Sequence, residues 1–209
     1  MTADIADLLR GARILPVLTV PETASALPLA DALAEAGVSC AEVTLRTPQA
    51  LDVLEAMAAH GGLTVGAGTV ITPRQAERAV AAGAAFVVCP GLDTEVIATC
   101  HELGVPVLPG IATATELMRA LSVGINTVKL FPAEQIGGTA LLRALAAPFP
   151  QVRFVPTGGI GADNADDYFA EPSVLAVGGS WLTPAQALAR GDYQCIRDLA
   201  SQAVQRSTP

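Results

Sequence analysis

The stretch TPRQAERAVAAGAAFVVCPG, residues 72–91, contains one complete helix-to-strand unit of this chain. Its first half is alanine-rich and amphipathic, begins at Thr72 and Pro73 and ends at Gly83, as helix caps require. Phe86 to Cys89 then form a short apolar run that is typical of a buried strand. The stretch therefore predicts a helix followed directly by a strand.

The same alternation of apolar runs and amphipathic stretches recurs along the chain every 20 to 25 residues or so, roughly the length of one strand and one helix. The predicted strands are Ile14 to Val20, Cys40 to Leu45, Leu63 to Ala67, Phe86 to Cys89, Val105 to Leu108, Thr127 to Phe131, Arg153 to Pro156 and Val174 to Val177. Helical patterns lie between them, for example at residues 22–37, 47–61, 93–104 and 113–124.

Strands that are joined through helices run parallel, and eight such units favour a (β/α)8 TIM barrel. We expect one α/β domain over residues 1–209, with a short N-terminal helix and a C-terminal helical extension from Pro184 onward. The alternative is an open, doubly wound sheet, which would need a GxGxxG motif after the first strand. Residues 19–25 read TVPETAS, so that motif is absent.

Composition narrows the classes of function. The chain has 51% hydrophobic residues, 15% charged residues and a net charge of −8, with its basic residues scattered singly. A compact globular protein with a small-molecule partner is favoured over one that binds nucleic acid or anionic membranes. The acidic start and the lack of a long apolar run indicate a cytoplasmic location. The four cysteines form no CxxC pair, which indicates reduced, packed thiols.

Two predicted strands carry polar residues at alternate positions. In such a barrel the outward face of a strand is apolar, because helices cover it, so the polar residues point inward. The inward sets are Glu42, Thr44 and Arg46 on one strand and Thr127, Lys129 and Phe131 on another. A carboxylate, a guanidinium and an amine are therefore expected to share one interior.

Lys129 is the only lysine among twelve basic residues. A buried ion-pair network with Glu42 is the structural alternative, but arginine would serve such a pair at least as well. Lysine alone can lose its proton in a desolvated site, and the neutral amine can then attack a carbonyl carbon. Lys129 is therefore a candidate Schiff-base nucleophile. Metal-dependent chemistry at a histidine site is disfavoured, because His60 and His101 are the only histidines and both are expected near helix ends.

Two glycine pairs follow the last two predicted strands, in PTGGI at residues 156–160 and in VGGSW at residues 177–181. In barrels these two loops often bind phosphate, because glycines let backbone N–H groups approach the anion. Glycines also end strands for purely geometric reasons. The placement of two pairs nevertheless favours a phosphate site, to which the Ser180 hydroxyl would add a donor.

Six motifs in this order resemble the 2-keto-3-deoxy-6-phosphogluconate (KDPG) aldolase family, also called the 4-hydroxy-2-oxoglutarate (KHG) aldolase family. They are EVTLRT at residues 42–47, GAGTV at 66–70, CPG at 89–91, KLFPAE at 129–134, PTGGI at 156–160 and GGSW at 178–181. The resemblance spans nearly the whole chain. One departure is Cys89, where the family more often has serine.

The resemblance implies a trimeric (β/α)8 class I aldolase that needs no cofactor and no metal. Its substrate would be a phosphorylated keto-deoxy sugar acid of the Entner–Doudoroff pathway, which is cleaved to pyruvate and D-glyceraldehyde 3-phosphate. The implied catalytic residues are Lys129, which forms the imine, and Glu42, which is the acid and base. The implied substrate-binding residues are Arg46, Thr69, Pro90, Phe131, Thr157, Gly158, Gly159, Gly179 and Ser180.

Three other functions remain open at this point. A sibling aldolase would act on 4-hydroxy-2-oxoglutarate, and members of the family often cleave both substrates. A phosphogalactonate sibling differs only in one stereocentre of the substrate. From a different class, the chain could be a phosphosugar-binding barrel, such as an isomerase or a sensor, without covalent chemistry.

Overall fold

Strands and helices alternate throughout the computed structural model, which describes residues 5–9 and 11–207. The strands are β1 Ile14–Leu18, β2 Cys40–Thr44, β3 Thr64–Gly68, β4 Val87–Val88, β5 Val107–Leu108, β6 Gly110–Ile111, β7 Thr127–Leu130, β8 Arg153–Pro156 and β9 Val177–Gly179. The helices are α1 Ile5–Leu8, α2 Ala26–Glu35, α3 Ala50–His60, α4 Pro73–Ala81, α5 Thr94–Glu102, α6 Ala114–Ser122, α7 Gly138–Ala146, α8 Ala165–Phe169, α9 Ala185–Arg190 and α10 Tyr193–Ser207. Single 3-10 turns lie at Thr23–Ser25 and Glu134–Ile136.

The unit at residues 72–91 folds as its sequence predicts. Thr72 caps α4 by accepting a hydrogen bond from the Gln75 N–H through its side chain, and proline occupies the first turn. Gly83 follows the end of α4 and has a φ of 93°, in the left-handed region, where glycine carries no steric penalty. The chain then enters β4 after residues 84–86, and α4 packs against α5.

All strand pairs are parallel and form a curled sheet. Two segments are continuous, one in the order β5-β4-β3-β2-β1-β9 and one in the order β6-β7-β8. Isolated parallel bridges join Phe154 to Val174 and Thr157 to Gly178, between the end of the second segment and the β9 side of the first. The fold is therefore an α/β fold with a curled parallel sheet.

Of the eight predicted strands, only Arg153 to Pro156 has the observed bounds; most other ends shift by one or two residues, and the fifth and eighth strands differ further. The fifth was predicted at Val105 to Leu108, but β5 covers only Val107–Leu108 and a separate strand, β6, follows Pro109; β5 pairs with β4, and β6 pairs with β7. The eighth was predicted at Val174 to Val177, but Val174 makes only an isolated bridge and β9 begins at Val177. Gly178 and Gly179 therefore lie within the strand, where they pair with β1, and not after it.

Two apolar clusters lie on the two faces of the sheet. The outer cluster joins the strands to the helices and includes Val43, Ala67, Val87 and Val128 together with Leu29, Leu54, Leu117 and Leu142. The inner cluster contains Ile5, Leu9, Ala12, Leu15, Cys40, Phe86, Val88, Leu108, Val155 and Ala176. Each fully buried leucine stabilises the fold by about 1.5–3 kcal/mol. The inner cluster fills one end of the sheet interior, and Glu42, Thr44 and Lys129 line a cavity at the other end.

The described helices include none with the length and hydropathy that crossing a bilayer demands.

Candidate active site

Lys129 occupies the inner face of the sheet in the middle of β7. Its neighbours Val128 and Leu130 pack into the outer cluster, and the two-residue period of a strand turns the lysine the opposite way. Its backbone N–H donates to the Pro109 carbonyl at 2.9 Å, which fixes the register of β7. The Lys129 side chain is 8% exposed, and its Nζ donates to Glu42 Oε1 at 3.0 Å.

Glu42 completes the pair from the middle of β2. Its side chain is 1% exposed, and within the described chain its second oxygen, Oε2, has no hydrogen-bond partner. Glycine on the adjacent strand makes room for it, because a Cβ on Gly68 would lie 2.6 Å from Glu42 Oε2. A buried carboxylate oxygen without a partner costs desolvation energy, so this oxygen is available to a bound molecule.

A cavity of about 220 Å³ opens above this pair. It is lined by Val17, Glu42, Thr44, Arg46, Thr69, Pro90, Lys129, Phe131 and Thr157. Seven of these residues are among the eleven that the sequence singled out. Val17 and Thr44 are additional; Thr44 shares the inward face with Glu42 in the alternation of EVTLRT, so that pattern could have included it.

Arg46 and Phe131 supply a cation and an aromatic face to the cavity. The Arg46 side chain is exposed and makes neither a hydrogen bond nor an ion pair with any described residue, so its guanidinium is open to a carboxylate. The Phe131 ring centroid lies 5.4 Å from Lys129 Nζ, within the range of a cation–π contact.

Thr69 and Pro90 lie at the carboxyl ends of β3 and β4. Thr69 has a φ of 60°, a left-handed backbone that costs a threonine about 1–3 kcal/mol and is concentrated at functional sites. Pro90 is approached by Gly110, where any Cβ would collide with the Pro90 carbonyl group. The backbone therefore fixes the positions of both residues on the cavity wall.

The predicted phosphate residues lie beside the cavity and do not line it. Gly158 and Gly159 directly follow Thr157 and have φ of 101° and 73°. Within the described chain, the backbone N–H groups of Gly159 and Ser180 donate no hydrogen bond. Gly178 packs directly against the Thr157 side chain, which brings the two glycine pairs together. Gly179 is buried beneath the Trp181 ring, so its side of the strand faces away from the cavity.

Cys89 packs into the outer cluster and does not line the cavity, although Pro90 beside it does. Burial raises the pKa of the Cys89 thiol to about 12.

His60, at the end of α3, pairs with Asp31 at 2.7 Å. Across residues 5–9 and 11–207, no three His, Cys, Asp or Glu side chains are grouped in a way that could hold a metal ion.

The fold and the site together define an α/β enzyme class in which a buried lysine and a carboxylate meet over the interior of a parallel sheet. The family model described as "KDPG and KHG aldolase" matches residues 5–199. The chain belongs to the KDPG and KHG aldolase family, and it is therefore an aldolase, a lyase.

Named relatives agree over almost the full length. The 2-dehydro-3-deoxy-phosphogluconate aldolase of Treponema pallidum is 50% identical over 202 residues, which cover 96% of each chain. A KDPG aldolase from Legionella pneumophila, solved with pyruvate captured as a covalent carbinolamine, is 39% identical with a TM-score of 0.93 and covers 97% of this chain and 98% of that one. The aldolase of Zymomonas mobilis with 3-phosphoglycerate is 41% identical with a TM-score of 0.93 and covers 98% of this chain and 96% of that one.

Proposed function

We propose that the chain is a class I aldolase that cleaves 2-dehydro-3-deoxy-6-phosphogluconate to pyruvate and D-glyceraldehyde 3-phosphate through an imine on Lys129. One observation carries this proposal: Lys129 Nζ is buried at 3.0 Å from Glu42 Oε1 in the wall of the cavity, and Glu42 Oε2 has no hydrogen-bond partner among the described residues. An amine next to a carboxylate that can exchange protons with it is the pair that imine formation needs.

The reaction begins when the neutral Lys129 amine attacks the C2 ketone of the substrate. Glu42 passes protons to the carbinolamine oxygen, water leaves, and a protonated imine remains. Glu42 then removes the proton of the C4 hydroxyl, directly or through a water. The C3–C4 bond breaks, its electron pair enters the imine to give an enamine, and the aldehyde is released. Protonation at C3 and hydrolysis release pyruvate and restore the amine.

Substrate binding is assigned to the cavity and to the glycine-containing loops beside it. Arg46 and Thr69 would contact the carboxylate of the pyruvyl end, and Pro90, Phe131 and Thr157 would wall the pocket. The backbone N–H groups of Gly158, Gly159 and Gly179 and the Ser180 hydroxyl would hold the phosphate. The unbonded N–H groups of Gly159 and Ser180 support this role most directly, because an unpaired donor is satisfied by an anion. Gly179 is the least supported member, since it is buried beneath Trp181.

We also infer that the curled sheet closes as a (β/α)8 TIM barrel in one domain over residues 1–209. The pairing of β9 with β1 and the two bridges from β8 support closure. Helix α1 and helices α9 and α10 correspond to the expected N-terminal helix and C-terminal extension. The homotrimer and the cytoplasmic location stay predictions from the sequence.

A second substrate, 4-hydroxy-2-oxoglutarate, is favoured by the family to which the chain belongs, since its description includes KHG aldolases. This substrate has no phosphate but shares the C2 ketone and the C4 hydroxyl. The same steps at Lys129 and Glu42 would cleave it to pyruvate and glyoxylate.

The deciding experiment is reductive trapping. The protein is incubated with pyruvate, reduced with borohydride and digested, and the peptide that contains Lys129 is weighed. Because the chain has a single lysine, we expect one internal adduct, apart from labelling of the N-terminal amine. The Lys129→Arg variant is the control and should carry no internal adduct. An unmodified Lys129 peptide in the wild type would exclude the imine and favour a noncovalent phosphosugar-binding barrel.

A further inference from the structure

The Gly158–Gly159 loop is fixed through its carbonyl groups. Three consecutive carbonyl oxygens, those of residues 157–159, each accept a hydrogen bond from another part of the chain. Ala133 N–H donates to Thr157 at 2.8 Å, Glu134 N–H donates to Gly158 at 3.1 Å, and Asn164 Nδ2 donates to Gly159 at 3.2 Å. With its carbonyls engaged, the loop keeps the N–H of Gly159 free, so its conformation decides where that donor points.

Glu134 supports the loop with its side chain as well as its backbone. A Cβ on Gly159 would lie 2.6 Å from Glu134 Cβ, so the glutamate packs flat against the glycine. Glu134 Oε1 accepts a hydrogen bond from the Tyr168 hydroxyl. Gly138 leaves room for this bond, because a Cβ there would lie 3.1 Å from Glu134 Oε1 and 3.4 Å from the Tyr168 hydroxyl. The glutamate is therefore held on both sides.

Tyr168 is the rigid end of this chain of contacts. It lies on α8, is 1% exposed and packs into the outer cluster, so its ring is fixed by its surroundings. Burial and the hydrogen bond to Glu134 raise the pKa of the Tyr168 phenol above its ordinary value. The phenol therefore stays protonated and keeps donating throughout the pH range in which the enzyme would be assayed.

We propose that Tyr168 and Glu134 are positioning residues for the phosphate end of the substrate: Tyr168 holds the Glu134 carboxylate, and Glu134 holds the Gly158–Gly159 loop in its anion-binding conformation. This inference rests on the proposed function, because it assumes that the loop binds the substrate phosphate. Neither residue lines the cavity, so neither touches the reacting carbons. Their influence should appear in affinity for phosphate and not in chemistry at Lys129.

The test uses Tyr168→Phe, which removes one hydroxyl and keeps the ring. The matched control is Tyr193→Phe, at the only other tyrosine of the chain, in the first residue of α10. For Tyr168→Phe we expect the KM for 2-dehydro-3-deoxy-6-phosphogluconate and the inhibition constant of inorganic phosphate to rise about fivefold, on the scale of one hydrogen bond. Exchange of the pyruvate methyl protons into deuterated water, which involves no phosphate, should stay within about twofold of wild type.

Two further variants keep the outcome decisive if Tyr168→Phe is poorly folded. Glu134→Ala should reproduce the loss of phosphate affinity, whereas Glu134→Gln, which retains an acceptor oxygen for the Tyr168 hydroxyl, should largely restore it. Unchanged phosphate affinity in Glu134→Ala, or an equal fall in phosphate binding and pyruvate exchange, would overturn the inference. Failure of the wild type to trap pyruvate at Lys129 is a separate result, which would defeat the proposed function instead.

Discussion

Glu42 divides its two carboxylate oxygens between two tasks: Oε1 lies 3.0 Å from Lys129 Nζ, and Oε2 is buried with no hydrogen-bond partner in the part of the chain that the structure describes. One side chain thus orients the amine and also keeps an unpaired oxygen in the wall of the cavity that Glu42 lines. A purely structural ion pair would be expected to satisfy both oxygens, because a buried unpaired oxygen is destabilising.

Replacing Glu42 with glutamine separates these tasks. Glu42→Gln keeps the shape and a carbonyl oxygen near Lys129 but removes the proton acceptor. We expect cleavage, measured by coupled assay of pyruvate, to fall about 10²- to 10⁴-fold, as loss of general acid–base catalysis does. Borohydride trapping of pyruvate should persist in part. The control is Glu35→Gln, at a surface ion pair with Arg197, which should leave turnover unchanged. Wild-type turnover in Glu42→Gln would remove Glu42 from the mechanism.

Adding one methyl group to β3 should displace the Glu42 carboxylate without changing the charge of any residue. A Cβ at position 68 would lie 2.6 Å from Glu42 Oε2, so Gly68→Ala must displace the carboxylate. We expect kcat to fall about 10- to 100-fold, since a displacement of about 1 Å at a reacting group costs that much. Gly62→Ala is the control, because its Cβ would meet the nearest atom at an ordinary 3.7 Å. Equal kcat in the two variants would show that Glu42 tolerates displacement.

Ser180 offers a test of the phosphate end that is independent of Tyr168. Ser180→Ala should raise the KM for the phosphorylated substrate about fivefold, as loss of one hydrogen bond does. The KM for 4-hydroxy-2-oxoglutarate, which lacks phosphate, should not change. Steady-state kinetics with both substrates measure the difference, and Ser201→Ala in α10 is the control. A parallel rise for both substrates would place Ser180 outside phosphate recognition.

The buried cysteines should be inert over the working pH range. Burial raises the pKa of Cys89 to about 12 and that of Cys40 to about 11, so the thiolate of Cys89 is only about one part in ten thousand at pH 8. We expect iodoacetamide at pH 8 to modify the partly exposed Cys195 first, as peptide mass spectrometry would show. Labelling of Cys89 should accelerate as the pH rises toward 12. Denaturation in guanidinium should expose all four thiols. Rapid native labelling of Cys89 would contradict this account.

The sequence predicted the centre of the site better than its edges. Lys129 and Glu42 each lie in a strand whose apolar residues alternate with polar ones, and this period alone determines which way they face. The shift of β9 was not predictable in the same way, because residues 174–177 are as apolar as a strand and only pairing with β1 selects Val177–Gly179.

The hydrophobic periodicity of the sequence could not predict contacts between residues of separate loops and helices. Tyr168 and Glu134 are 34 positions apart, and they meet only because the fold brings α8 next to the turn after β7. No spacing rule connects such residues. The room that Gly66 leaves for the Phe86 ring is similar, since it depends on two strands being neighbours.

The inner cluster also bears on the order in which the two products leave the enzyme. Ile5 and Leu9 from the N-terminal segment pack into this cluster at the end of the interior opposite the cavity. We therefore expect substrate and products to pass on the cavity side, beside the exposed Arg46. In the proposed reaction the pyruvyl fragment stays bonded to Lys129 after the C3–C4 bond breaks, so we expect the aldehyde fragment to depart before pyruvate. Product-inhibition kinetics would reveal this as an ordered release, with pyruvate the last to go.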